Sequence, residues 1–301
     1  MKNEIINLLK KEGKIPNEIN DANINEFADL IKEIGKRKTQ HLKASEISKE
    51  LNTRLIGKDL YIFNEVGSTN TLAKYLSEND IENGSIIISE KQNAARGRSG
   101  KSWESPLGGI WLSIILNPNV DSSKIHLITL ATGVAVAKSL KRIGIENPEI
   151  KWPNDIMING KKVCGILTEA ITKFNSIKIV IVGVGIDANL SIEDLPEELQ
   201  NTTTTLENEL EKKVDENKLI RIFLEEFERI YEIYSHEKYE EILKDWRKSS
   251  YSIGKIVEVK KPKNKSYDGY VVGISKDGGL IIEKYDGTLE KVISGECIIK
   301  N

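Results

Sequence analysis

The apolar positions of this chain change rhythm twice. Over residues 1–43 they fall into two helical clusters. Ile5, Ile6, Leu8 and Leu9 predict one short helix, and Asn25 is placed to cap a second that carries Phe27, Leu30, Ile31 and Ile34 on one face. Lys36, Arg37 and Lys38 suit the C-terminal end of that second helix, where cations meet the negative end of the dipole. From Ala44 onward, helical and strand patterns alternate. ASEISKEL and NTLAKYL read as helices around the strand LYIFNEV. GSIIISE and IWLSIIL read as strands, and residues 122–143 as a helix stopped by Gly144. PEIKWPNDIMI predicts two short strands broken at Pro153, and KKVCGILTEAI and IKIVIVGVGI two longer ones. The last is apolar nearly throughout, as a strand central in its sheet should be. Helices follow from about 215 to 249. This alternation predicts a mixed α/β domain over roughly 44–249. The final 48 residues switch to short strands separated by Asp-Gly and Gly-Gly turns, the pattern of a small all-β barrel.

Composition narrows the class without choosing a function. The chain has 301 residues, 39% hydrophobic and 30% charged, enough for two domains with a sizeable core. A formal net charge of −2 gives no whole-molecule field toward nucleic acid or anionic lipid. No apolar run approaches the roughly 20 residues of a membrane span, and the N-terminus does not read as a secretory signal. Cys164 and Cys297 are far apart and read as two reduced thiols of a cytoplasmic protein. Three scattered histidines offer no zinc spacing.

Three segments carry candidate chemistry. Residues 92–103, QNAARGRSGKSW, set two arginines around Gly97, with Gly100 and Lys101 just after. Glycines let backbone N–H groups turn toward an anion, and arginines add forked donors that match carboxylate and phosphate. By composition alone a solvated basic loop is the better reading. No GxxxxGK[ST] pattern occurs, so this is no ordinary P-loop ATPase. Residues 151–166, KWPNDIMINGKKVCGI, bring Lys151, Asp155 and Lys162 close in sequence across an Asn159-Gly160 turn; the bland alternative is a surface hairpin. Gly67, Ser68, Thr69 and Asn70 lie between a strand and a helix, where Ser68 or Asn70 need do no more than cap the helix.

Taken in order, GSTN, QxxxRGRxGxxW, KWPND with NGxKxxGIL, and GVGIDAN resemble the biotin protein ligase family over about residues 44–301. Four motifs in the family's order and spacing make the resemblance specific. It implies an α+β fold: a mixed-sheet catalytic domain of the class II synthetase-like biotin/lipoate ligase type over 44–252, then a small SH3-like β barrel over 253–301, with 1–43 a short helical extension. It implies a ligase that activates biotin with ATP and Mg²⁺ to biotinyl-5′-AMP. The biotin then passes to a lysine of the biotin carboxyl carrier domain of a carboxylase. Ser68, Thr69, Asn70 and Gln92 match the pocket for the biotin head. Arg96, Gly97 and Arg98 match the loop that folds over biotin and its adenylate, and Lys162 the lysine at the carboxylate and reacting phosphate. Trp103 matches an aromatic near the adenine. Lys151, Asn154, Asp155, Gly183, Gly185 and Asn189 fall on the nucleotide side, Asp155 as a contact for Mg²⁺ or Lys151.

The chain departs from the pattern at Ala95, usually glycine, and at Asp187, often asparagine. Alanine tolerates positive φ poorly, so either position 95 is extended or the loop closes differently. An aspartate at 187 adds negative charge near phosphates. The resemblance also implies a homodimer. Two other readings stand beside the ligase. One is a bifunctional ligase and biotin-operon repressor. Against it, residues 1–43 carry only a net +2 and show no second recognition helix or glycine-bearing wing, so DNA is not the expected partner. The other is a lipoate or octanoate transferase, whose relatives carry a different arginine-glycine motif.

Overall fold

The computed structural model describes residues 31–33, 36, 39–78, 81–173, 176–261 and 265–300. The helix expected around Ile5–Leu9 lies outside them. Of the second, residues 31–33 are helical, and Ile31 is buried in a cluster with Tyr61 and Phe63.

The alternating region folds into a seven-stranded sheet with helices on both faces, Leu127–Arg142 and Glu216–Ser235 on one and Thr69–Ser77 on the other. The strands are β1 (Leu60–Phe63), β2 (Ile86–Ser89), β3 (Ile110–Leu116), β4 (Glu149–Lys151), β5 (Asp155–Ile158), β6 (Lys161–Lys173) and β7 (Ser176–Ile186), in the order β1-β2-β3-β7-β6-β5-β4. Only β1 and β2 run parallel. The apolar strand IKIVIVGVGI is central, as its lack of a polar face predicts. Helices α1 (Ala44–Ser48), α2 (Thr69–Ser77), α3 (Leu127–Arg142), α4 (Glu216–Ser235) and α5 (Tyr239–Lys248) match the helical patterns, and Gly144 ends the expected third helix with φ +107°.

Side-chain alternation along the strands separates core from site. On β3, Ile110, Leu112, Ile114 and Leu116 join the main core with α3 and α4; on β7, Val180, Val182, Val184 and Ile186 do the same. The opposite face of these strands carries Ser113, Gly183 and Gly185, with Gly165 beside them on β6. That face is low where the other is packed.

The C-terminal strands β8 (Ile256–Lys261), β9 (Lys265–Ile274), β10 (Leu280–Lys284), β11 (Leu289–Val292) and β12 (Glu296–Ile299) form an antiparallel sheet in the order β11-β10-β9-β8-β12. It docks through Trp152, whose indole N–H donates to Gly278 O at 3.0 Å and whose backbone N–H donates to Ser252 Oγ at 3.0 Å. Gly278 has φ +77°, and a Cβ there would lie 2.7 Å from Leu127 and 2.9 Å from Leu130 of α3. The Gly-Gly turn is therefore a close-packed joint between the two sheets. Among the described residues no helix is long and apolar enough to cross a membrane. Both cysteines are free and buried.

Candidate active site

The low face of the large sheet floors a cavity of about 820 Å³. Two rows of paired residues run beneath it, with Ser113 and Trp111 fully buried and outside the lining. Ser113, Gly183 and Leu167 form one; Trp111, Gly185, Gly165, Asp155 and Lys151 form the next. The glycines are needed because side chains lie directly on them. A Cβ on Gly183 would fall 2.3 Å from Asn70 Oδ1, and Cβ atoms on Gly165 and Gly185 would fall 2.9 and 2.8 Å from the Trp103 ring. Gly183→Ala should therefore displace Asn70 and weaken binding at this end of the cavity about tenfold or more. Isothermal titration with biotin, the ligand that the sequence resemblance implies, checks it, and unchanged affinity would show that Asn70 adapts.

The N-terminus of α2 and the strand-like start of the loop after β2 build the first end. Ser68 caps α2, its hydroxyl accepting from Thr71 N–H at 3.4 Å, so the capping reading holds while Ser68 also lines the cavity. Gln92 Oε1 accepts from the Thr69 backbone N–H at 2.7 Å, and its amide donates to Ser105 Oγ at 2.9 Å. Asn70 donates to Glu169 Oε2 at 2.8 Å and Leu167 O at 3.3 Å. Thr69 and Asn70 are both buried.

The arginine-glycine loop is a small hairpin. Gly97 N–H donates to Lys101 O at 2.7 Å and Trp103 N–H to Ala95 O at 3.1 Å. Positive φ falls on Ser99 (58°) and Gly100 (75°), not on residue 95. Alanine at 95 is therefore tolerated because the position does not turn. Arg98 donates to Asn154 Oδ1 and to Gly295 O, each at 3.3 Å, and Lys101 pairs with Glu296 at 2.8 Å. The loop thus reaches the C-terminal sheet. Arg96 is exposed at the cavity rim.

At the second end Lys162 Nζ lies 2.6 Å from Asp155 Oδ1 and 4.9 Å from the centre of the Trp103 ring. A register shift between Ile156 and Met157 sets Lys162 opposite Met157. Its backbone is held on the outside by Thr202 O and Thr204 N–H, both at 2.8 Å. The ion-pair partner of Asp155 is thus Lys162 rather than Lys151. Burial pushes the Asp187 carboxyl well above the usual carboxylate range, with Lys162 opposing, so its neutral form is favoured and the added charge expected there is reduced. Trp103 meets Trp111 edge-on at 6.3 Å, and its buried indole N–H has no hydrogen-bond partner among the described residues.

Ser68, Thr69, Asn70, Gln92, Arg96, Gly97, Arg98, Trp103, Lys151, Asn154, Asp155, Lys162, Gly183 and Gly185 all line this one cavity. Asn189 does not. Its amide is spent on Val214 O at 2.9 Å and Glu216 Oε1 at 2.8 Å, and its oxygen accepts from Val214 N–H at 2.8 Å, so it fastens the loop after β7 to the start of α4. The sequence reading missed Ser113, Ser105 and Glu169, which hold the motif residues from behind, and residues 201–203 and 295–299, which close the sides. None of these falls in a motif.

The cavity sets neutral hydrogen-bonding groups at one end and lysine and arginine side chains beside the other, an arrangement suited to a polar head and an anion. Comparison with known proteins identifies the class as a biotin/lipoate protein ligase. Residues 63–187 match the family described as biotin/lipoate A/B protein ligase, and residues 252–300 match the biotin protein ligase C-terminal domain. The chain is 34% identical over 268 residues to the bifunctional ligase/repressor BirA of Bacillus subtilis, covering 89% of this chain and 80% of that one. It is 32% identical over 245 residues to the biotin–[acetyl-CoA-carboxylase] ligase of Mycobacterium tuberculosis, covering 76% and 85%. Among solved structures, the biotin protein ligase from Aquifex aeolicus in complex with biotin and ATP is similar with TM-score 0.71 and 28% identity, over 81% of this chain and 99% of that one. The chain belongs to the biotin protein ligase family.

Proposed function

We infer that this chain joins biotin to ATP and then passes the biotinyl group to a lysine of a biotin carboxyl carrier domain. The observation that carries the reading is the polarity of one cavity: neutral hydrogen-bonding groups at Thr69, Asn70 and Gln92, and Lys162 beside Trp103 at the next row of the floor. A neutral polar head with an acid tail fits the first end, and a nucleotide phosphate fits the second.

In the first step a biotin carboxylate oxygen bonds to the α-phosphorus as the bond from that phosphorus to the bridging oxygen breaks and pyrophosphate leaves. Both reactants are anionic. Lys162, Arg96 and Arg98 lower their repulsion and hold them in line. Trp103 offers a ring to the base. Among the described residues no three acidic, histidine or cysteine side chains gather around a metal. Magnesium is commonly held by one or two carboxylates plus substrate phosphates, and Asp155 is the carboxylate that fits this role; the ion supplies further charge neutralisation. In the second step the neutral amine of the carrier lysine bonds to the acyl carbon, the acyl–oxygen bond to AMP breaks, and the amine loses a proton. Residues 44–252 carry this chemistry, with 253–301 as the barrel and 1–43 as the extension, in the cytoplasm.

Biotin-dependent exchange of pyrophosphate into ATP, followed by transfer to a carrier domain, tests the reading; no exchange with purified protein sinks it. Biotin rather than lipoate should raise the melting temperature. The homodimer that family resemblance implies would use the β1 edge for any pairing of sheets. At the β4 edge Ile150 already bonds Ser249 O and Tyr251 N–H. Sedimentation measures this.

The names of the Bacillus relatives favour a second reading, repression of transcription. The net +2 of residues 1–43 argues against a strong DNA footprint. A salt-dependent gel shift with the organism's own biotin-operon DNA distinguishes the two.

A further inference from the structure

We propose that Ser113, a fully buried serine in the middle of β3, is a positioning residue that turns Thr69 into a hydrogen-bond acceptor and so selects a ligand head bearing an N–H. The proposal rests on the biotin reading above and deepens it.

The proton inventory forces the direction. Ser113 Oγ lies 2.6 Å from Asn70 Oδ1 and 2.8 Å from Thr69 Oγ1. The Asn70 amide is oriented unambiguously, because its nitrogen faces two acceptors, Glu169 Oε2 and Leu167 O. Its oxygen accepts only, so the single proton of Ser113 goes there. The contact between the two hydroxyls then needs the proton of Thr69. With that proton spent on Ser113, Thr69 turns only lone pairs toward the cavity that it lines. Gln92 fixes the Thr69 backbone from the other side, and Asn70 Oδ1 is held over Gly183. The relay is thus rigid at both ends, and Ser113 itself is completely buried, with no water to compete.

An acceptor in a buried place rejects a ligand that cannot donate to it, because the lone pair is left unpaired. A cyclic urea donates from both ring nitrogens. A dithiolane ring donates from none. Ser113 therefore contributes to the choice of a urea head over an apolar or acceptor-only head without being placed to touch the ligand. Removing its hydroxyl leaves Thr69 free to turn its proton either way.

The test compares biotin with two cyclic carbamates in which oxygen replaces one or the other ureido N–H, by competition binding to the full chain. Ser113→Ala should weaken biotin about tenfold while weakening the carbamate that lacks the Thr69-facing N–H about twofold or less. In a Thr69→Val background the same change should have little further effect, and at saturating biotin kcat should be largely retained. Thermal melting and ATP binding report whether each variant folds, and Thr69→Val with the carbamates tests the acceptor role even if Ser113→Ala does not fold. Equal losses for biotin and both carbamates, or losses that simply add in the double variant, overturn the relay and leave the biotin reading standing. If the unmodified chain shows no binding of biotin, that reading fails and the proposal falls with it.

Discussion

Lys162→Ala should leave a folded protein whose biotin-dependent ATP–pyrophosphate exchange is reduced by roughly 10²- to 10³-fold. The fold should survive because what Lys162 contributes to structure is mainly main chain: its N–H donates to Thr202 O and its carbonyl accepts from Thr204 N–H, and alanine keeps both. The chemistry should not survive. The ammonium is the cation held 2.6 Å from Asp155 and over the ring of Trp103. Without it the Asp155 carboxylate faces the cavity uncompensated. Two anionic reactants would then meet in a site with added negative charge. Loss of one preorganised charge stabiliser typically costs about 3–4 kcal/mol of transition-state energy. Lys162→Arg should rescue poorly, because a planar fork does not replace a compact ammonium between a carboxylate and an aromatic face. Exchange within a fewfold of normal in the folded alanine variant would remove Lys162 from the reaction.

How much of this was legible in the sequence depends on whether a residue's neighbours are near it in the chain. The strands and long helices were, because periods of two and of 3.6 reflect which side is buried, and β3 is the segment IWLSIIL residue for residue. The motif residues were too, since strand–turn–helix units carry them as short runs. Ser113 was not. It is one serine in an apolar strand, and its meaning comes from Asn70 and Thr69, more than forty residues away. Glu169 is hidden for the same reason. Asn189 erred in the other direction: its motif placed it at the nucleotide, whereas its amide is committed to Val214 and Glu216. Ala95 shows the limit of reading a single position. The loop needs positive φ somewhere, and only coordinates reveal that Ser99 and Gly100 provide it. The contact between the arginine loop and the C-terminal sheet, nearly 200 residues apart, leaves no local trace at all.

That contact sets the second large effect. Arg98→Gly should release the adenylate and biotinylate bystander lysines. Two bonds tie the tip of the loop across the cavity, from the Arg98 guanidinium to Asn154 Oδ1 beside β5 and to Gly295 O before β12. The other tie, Lys101 to Glu296, is well exposed on both sides, and a pair of that kind contributes little. The Gly97–Lys101 turn holds the hairpin to itself but not to its surroundings. Glycine at 98 deletes both bridging bonds and adds backbone freedom next to Ser99, already at φ 58°. Hydrogen bonds from a charged donor are worth about 1.5–3 kcal/mol each, so the loop should open far more often and the mixed anhydride should escape on the order of a hundredfold faster. Adenylation itself should fall less than in Lys162→Ala, since Lys162 and Arg96 remain. Labelling of an unrelated lysine-rich protein in the same tube, read with avidin, should rise at least about tenfold while the carrier domain is still labelled. Arg98→Lys should lie between, because one ammonium cannot span both acceptors as the guanidinium fork does, and Lys101→Ala should behave nearly as the unmodified chain. Labelling confined to the carrier in Arg98→Gly would mean that the adenylate is retained by the cavity walls alone, and that the tie between the loop and the C-terminal sheet serves some step other than holding the intermediate.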